Sequence, residues 1–230
     1  MIDIHSIKIP AVSPSLLAAD PARLVLETKK AENAKCPLIH IDVMDGRFVE
    51  NVSFGPSTVA SLSREPGIIK DTHIMIEEPY RYAKEYVLSG ADILTFHYEA
   101  CLDIPLRFLT IQEILVNGGI PGISIKPETP VSVLKPFFSK VGLILVMSVE
   151  PGKGGQSFIE DSLKKIKNLK EMLYSLPKKE RPLIEVDGGI NEITGPKCLA
   201  AGADILVAGS YLYGHDDFAL RVKRLLGEKI

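Results

Sequence analysis

The chain has 230 residues, 46% hydrophobic and 24% charged, the balance of an ordinary soluble globular protein rather than of a disordered or membrane-embedded one. Lysine and arginine (27) nearly cancel aspartate and glutamate (29), and a formal charge of −2 leaves no basic footprint for nucleic acid. Three scattered cysteines without a C-x-x-C pair argue against a disulfide framework or a thiolate zinc site. Met1 to Pro10 holds no apolar run of signal-peptide length, and nowhere do eighteen apolar residues follow one another, so a cytoplasmic protein without membrane contact is expected.

Taken in order, eight segments rich in Val, Ile and Leu predict strands: Ala11 to Leu17, Pro37 to Val43, Ile68 to Ile76, Asp92 to His97, Ile120 to Ile125, Gly142 to Val149, Leu183 to Asp187 and Asp204 to Ala208. Most are continuous apolar runs, the pattern of parallel strands covered on both faces. Amphipathic helices are predicted between them, among others at Pro21 to Asn33, Pro79 to Leu88, Val131 to Phe138 and Ser162 to Leu176. Two junctions repeat, Ser89-Gly90-Ala91-Asp92 and Ala201-Gly202-Ala203-Asp204, each placing a glycine where a left-handed residue ends a helix. Eight rounds of strand, helix and turn predict one (β/α)8 TIM barrel spanning 1–230 as a single domain, since no linker breaks the series. A doubly wound open sheet is the runner-up. The charged run Pro177 to Pro182 reads as a solvated loop.

A barrel builds its site at the C-terminal ends of its strands, and the polar residues gather there. Ile39 to Gly46 puts His40, Asp42 and Met44 two apart, on one side of a strand. Alone, that pair reads equally well as a buried His–Asp hydrogen bond. His73 and Asp187 at the ends of other strands complete two imidazoles and two carboxylates, a set suited to a divalent zinc, iron(II), manganese or cobalt ion. Glycine loops follow the last three strands, at Pro151 to Gln156, Asp187-Gly188-Gly189 and Ala208-Gly209-Ser210. Their backbone N–H groups can approach an anion, which predicts a phosphate site there. Met44, Met75 and Met147 share the strand ends and suggest a polarizable floor poor in water.

The strings S-P-S-L-L-A-A-D, H-I-D-V-M-D-G-R-F-V, D-T-H-I-M-I, T-F-H-Y-E, M-S-V-E-P-G-K-G-G-Q-S-F-I, V-D-G-G-I and V-A-G-S, spread from Ser13 to Leu226, closely resemble the ribulose-phosphate 3-epimerase family. The resemblance implies a ribulose-phosphate-binding barrel and a metal-dependent isomerase of carbohydrate metabolism. Its reaction interconverts D-ribulose 5-phosphate and D-xylulose 5-phosphate, a step of the pentose phosphate pathway. Carried over, His40, Asp42, His73 and Asp187 hold one divalent metal ion, and Asp42 and Asp187 serve as acid and base on opposite faces of the sugar. Ser15 touches the phosphorylated ketose; Met44, Met75 and Met147 line the reacting centre; Gly155, Gly188, Gly189, Gly209 and Ser210 hold the phosphate. A homo-oligomer is implied too, the family being often dimeric or hexameric. Two positions depart from the family's usual strings: Glu50 in F-V-E-N, and Lys153 where an aromatic residue is expected over the substrate. Two alternatives follow, a hexulose-phosphate 3-epimerase converting D-allulose 6-phosphate to D-fructose 6-phosphate, and an inactive phosphate-sugar-binding barrel.

Overall fold

Strands whose side chains are apolar on both faces need cover on both sides, and a closed parallel sheet ringed by helices provides it. The computed structural model describes residues 3–63 and 67–228; the ends of the expected 1–230 domain lie outside the described residues. The eight strands are β1 (Ala11–Pro14), β2 (Leu38–Met44), β3 (Ile69–Met75), β4 (Ile93–His97), β5 (Ile120–Ile125), β6 (Leu143–Met147), β7 (Leu183–Asp187) and β8 (Ile205–Ala208). They pair in parallel in the order β1-β8-β7-β6-β5-β4-β3-β2, and a parallel bridge between Ser15 and His40 brings β1 to β2. The strand order never reverses, which rules out the doubly wound sheet. The α-helices are α1 (Leu24–Asn33), α2 (Pro56–Leu62), α3 (Ala83–Leu88), α4 (Ile104–Val116), α5 (Ser162–Leu173), α6 (Thr194–Ala201) and α7 (Phe218–Leu225).

Four predicted elements change on folding. The strand expected to run to Leu17 ends at Pro14, because Ser15 caps a 3-10 turn at Leu16–Ala18 by accepting from the Leu17 N–H. The helix expected over Val131 to Phe138 is a 3-10 helix, Val131–Phe137; Pro136 inside it has no N–H to give. Pro21 and Pro79 likewise open short 3-10 turns before α1 and α3.

The repeated glycine–alanine–aspartate junction has a structural role in both copies. Gly90 and Gly202 take φ of +105° and +115°, the left-handed conformation that glycine adopts without strain. The aspartate that follows then starts the neighbouring strand: Asp92 accepts from the Lys70 N–H at 2.8 Å, and Asp204 from the Ile184 N–H at 2.9 Å. These bonds fix the register of β4 on β3 and of β8 on β7.

Alternation along each strand divides the core. Ile39, Ile41, Val43, Leu94, Phe96 and Val146 face the helices; Leu38, Ile93, Ile120, Leu143, Leu183 and Ile205 close the barrel floor. Above that floor the interior turns polar, since the register sets His40 beside Asp71, Asp42 beside His73, and Met147 beside Asp187. Among the described residues, no helix is long and apolar enough to cross a membrane.

Candidate active site

Polar side chains on the inner face of a strand have no route to bulk water, so they must satisfy one another or a ligand. His40 and His73 are fully buried and Asp42 is 4% exposed. One ligand atom each from His40, Asp42, His73 and Asp187 lies within 4.8 Å of the others. Asp42 sits at the centre: its Oδ2 accepts from the Ser15 hydroxyl at 2.7 Å, while Oδ1 faces His40 Nε2 and His73 Nδ1, both at 3.4 Å. His40 Nδ1 is bonded to Asp71 Oδ2 at 2.5 Å. An ionised carboxylate only accepts, so Nδ1 carries the hydrogen. That leaves Nε2 aimed at Asp42 with no hydrogen-bond partner. A buried imidazole nitrogen held in this way among three other donor atoms fits a divalent cation.

The two carboxylates titrate in opposite directions. Burial pushes the Asp42 carboxyl up, but His40 and His73 outweigh it and hold the group well below the usual range. Asp187 is pushed up to about 7 by burial, with the charge of Asp42 adding to it. Near neutrality Asp42 is therefore ionised while Asp187 holds a proton over much of the range. Beneath them, burial and the Asp71 charge raise Glu185 well above its ordinary value. Burial works to lower His40, but the pull of Asp71 and Asp42 exceeds that cost and raises it; His73 is lowered by burial.

Of the residues predicted from the sequence, Ser15, Asp42, Met44, Met75, Met147, Gly155, Asp187, Gly188, Gly189, Gly209 and Ser210 all line one cavity of about 720 Å³. His40 and His73 stand behind its wall. The three methionines are buried, Met44 and Met75 packing together with Val49. Glycine is required at two of the loop positions. At Gly188, with φ +119°, a Cβ would meet the Val149 side chain at 2.5 Å; at Gly189, with φ +63°, it would meet the Phe158 backbone nitrogen at 2.6 Å. Among the described residues, the N–H groups of Gly155, Gly189, Gly209 and Ser210 donate to no protein acceptor outside the regular elements. Lys153 lines the cavity, and its carbonyl accepts from Gln156 Nε2 at 2.8 Å. Glu50 is exposed and lies outside the cavity lining.

Sequence reasoning left out the inner partners Asp71 and Glu185 and the outer Glu99, and it placed His97 at a strand end without giving it a role. The first two were findable, because each lies two residues before a predicted ligand and so shares its face. Asn191, Tyr211 and His215 at the cavity rim come from loops with no periodic signal, and Arg221 reaches the rim from α7.

The Ribulose-phosphate 3 epimerase family model matches residues 11–213. The chain is 45% identical over 218 residues to ribulose-phosphate 3-epimerase of Bacillus subtilis, covering 95% of this chain and 99% of that one. It is 42% identical over 218 residues to the chloroplastic ribulose-5-phosphate-3-epimerase of Arabidopsis thaliana, covering 95% and 76%. Among solved structures, KGPDC from Streptococcus mutans superposes with a TM-score of 0.70 at 16% identity, over 95% of this chain and 96% of that one. That last likeness concerns the barrel alone.

Proposed function

The chain belongs to the ribulose-phosphate 3-epimerase family, and from that premise we propose how its own residues invert the carbon beside the ketone of D-ribulose 5-phosphate. The observation that carries the reading is the split between Asp42 and Asp187. Two carboxyl groups face one cavity, one held ionised and the other pushed up to about 7. Epimerisation requires a base on one face of the carbon and an acid on the other. Environments that separate two pKa values assign those roles.

Asp42, oriented by the Ser15 hydroxyl, removes the proton; Asp187 returns one from the opposite face. In the reverse direction, from D-xylulose 5-phosphate, the roles exchange. His40, His73 and the two aspartates would hold a divalent ion, which supplies Lewis-acid stabilisation of the negative charge that develops on the substrate oxygens. Zinc, iron(II), manganese and cobalt all suit this donor set. Met44, Met75 and Met147 keep water from the reacting carbon, and the backbone N–H groups of Gly155, Gly189, Gly209 and Ser210 receive the phosphate.

The test is deuterium uptake at that carbon when metal-loaded protein meets ribulose 5-phosphate in heavy water. Uptake accompanied by xylulose 5-phosphate is expected. A folded, metal-loaded protein that exchanges nothing would leave only a phosphate-sugar-binding barrel.

Lys153 on the cavity wall favours a second substrate reading, a hexulose 6-phosphate, because an aromatic cover is replaced by a flexible cation. Turnover of both phosphates by wild type and Lys153→Phe separates the two, and equal profiles remove Lys153 from substrate choice. A homo-oligomer is part of the same proposal. Its support is the solvent-facing side of α4, where Ile104, Phe108, Leu109, Leu115 and Val116 are 36–68% exposed.

A further inference from the structure

His40 and His73 must each present one particular ring nitrogen without its hydrogen if they are to act as ligands. For His40 the constraint is direct, through the carboxylate of Asp71. His73 has no carboxylate on its far side. Its Nε2 instead meets Nε2 of His97 at 2.9 Å, and His97 Nδ1 meets Glu99 Oε2 at 3.2 Å. Glu99 is itself tied down, its Oε1 accepting from the Lys126 N–H at 2.9 Å and from the Thr129 hydroxyl. Both histidine rings are fully buried, with Phe48 packed on His97 at 4.9 Å between centroids.

An ionised carboxylate at the outer end, with both rings neutral, leaves one arrangement of hydrogens along this chain. Burial raises Glu99, but bonds from His97 and Thr129 outweigh it and bring the group down to about 2, and the 2.9 Å contact between the two buried Nε2 atoms has room for a single hydrogen. Glu99 therefore only accepts, so His97 donates from Nδ1. Neutral His97 then has a bare Nε2, which accepts from Nε2–H of His73. Neutral His73 is left with a bare Nδ1, the nitrogen that faces Asp42 at 3.4 Å.

We propose that His97 and Glu99 are positioning residues: through two hydrogen bonds they fix the tautomer and ring orientation of His73, presetting Nδ1 as the ligand atom before any cation arrives. The inference rests on the metal reading of the site and extends it to two residues that touch neither substrate nor metal. It also explains why the T-F-H-Y-E string closes β4, a strand that contributes no ligand. Reversal of the chain is simple to provoke. A glutamine at position 99 can donate through its amide to His97 Nδ1, which places the His97 hydrogen on Nε2 and forces the His73 hydrogen onto Nδ1, where it blocks ligation.

The experiment reads histidine ring nitrogens by long-range 1H–15N NMR in metal-stripped, full-length protein at pH 7.5, with His5→Gln and His215→Gln used to assign the exposed rings. Wild type is expected to show His73 as the Nε2–H tautomer, and Glu99→Gln to show the Nδ1–H form or a mixture. Cobalt(II) affinity, measured by chelator competition, should fall about 10–100-fold in the same variant, with a changed visible spectrum of the bound ion. Glu99→Ala, which offers no donor, takes its place if the urea midpoint of Glu99→Gln shows that it does not fold. An unchanged His73 tautomer and unchanged cobalt affinity in a folded variant overturn the inference. Because the tautomer is read without metal, a wild type that binds no cobalt overturns the metal reading separately.

Discussion

Asp42 gathers more interactions than any other side chain in the cavity wall, and its replacement should be the most informative single change. Asp42→Asn is expected to lower turnover by about 10²–10⁴-fold, the usual weight of a general base, with circular dichroism unchanged. Near wild-type activity in that variant would refute the assignment of the base. Ser15→Ala should cost about tenfold or more in kcat, since a hydrogen bond to an ionised group is worth roughly 1.5–3 kcal/mol. Asp187 supplies a pH prediction. Its carboxyl moves from 3.8 to about 7 on folding, so the stabilising contribution is complete below the unfolded value and is lost as pH rises toward about 7. His40, also raised, acts in the same direction. His73 and His97, both lowered by burial, work the other way below their ordinary value, so metal-free protein should show a urea midpoint that falls from about pH 6.5 to pH 8. Metal affinity should climb over that interval, because ligation displaces those same protons. A midpoint that rises with pH would show that Asp187 is not held protonated.

The loop between β7 and α6 is the element whose backbone is least replaceable. Gly189 has φ +63°, and any Cβ there would press on the Phe158 backbone at 2.6 Å. A left-handed non-glycine residue costs about 1–2 kcal/mol, and the clash adds to it. Gly189→Ala should lower the thermal midpoint and, on the proposed phosphate role of this loop, raise KM for the sugar phosphate more than it lowers kcat. An unchanged KM would remove this loop from the phosphate site. Prolines acted at the same scale: Pro136 turned a predicted α-helix into a 3-10 helix. α4 falls within the predicted alternation of strand and helix, yet its own stretch carries a weak amphipathic signal. Residues facing both the barrel and solvent are apolar, so the helix lacks the contrast that an amphipathic pattern needs.

Across the whole molecule, the closed sheet accounts for every strand edge, whereas the outer face of α4 stays uncovered. Ile104, Phe108 and Leu115 project to one side of that helix, with Leu109 and Val116 beside them, and Leu102 just ahead is 96% exposed. An exposed apolar patch of this kind is the surface on which the proposed homo-oligomer would form. The protein should sediment as an oligomer, and Phe108→Glu should shift it toward monomer without loss of fold. A monomeric wild type at micromolar concentration would dismiss the homo-oligomer.

The sequence by itself determined the architecture. Eight apolar runs, glycine junctions and strand-end polar residues are local signals, and each follows from backbone geometry or from the cost of burying charge. The inward direction of His40 and Asp42 was likewise legible, because strand side chains alternate with period two. Closure of the barrel decided the rest. Only parallel register sets His40 against Asp71 and His73 against Asp42, and only the approach of β4 to β3 brings His97 within 2.9 Å of His73. The opposed titration of Asp42 and Asp187 is also a tertiary property, since desolvation and neighbouring charge depend on which strands meet. Residue types and their spacing therefore announced a site, while the closed sheet chose which nitrogen and which carboxylate each residue presents to it.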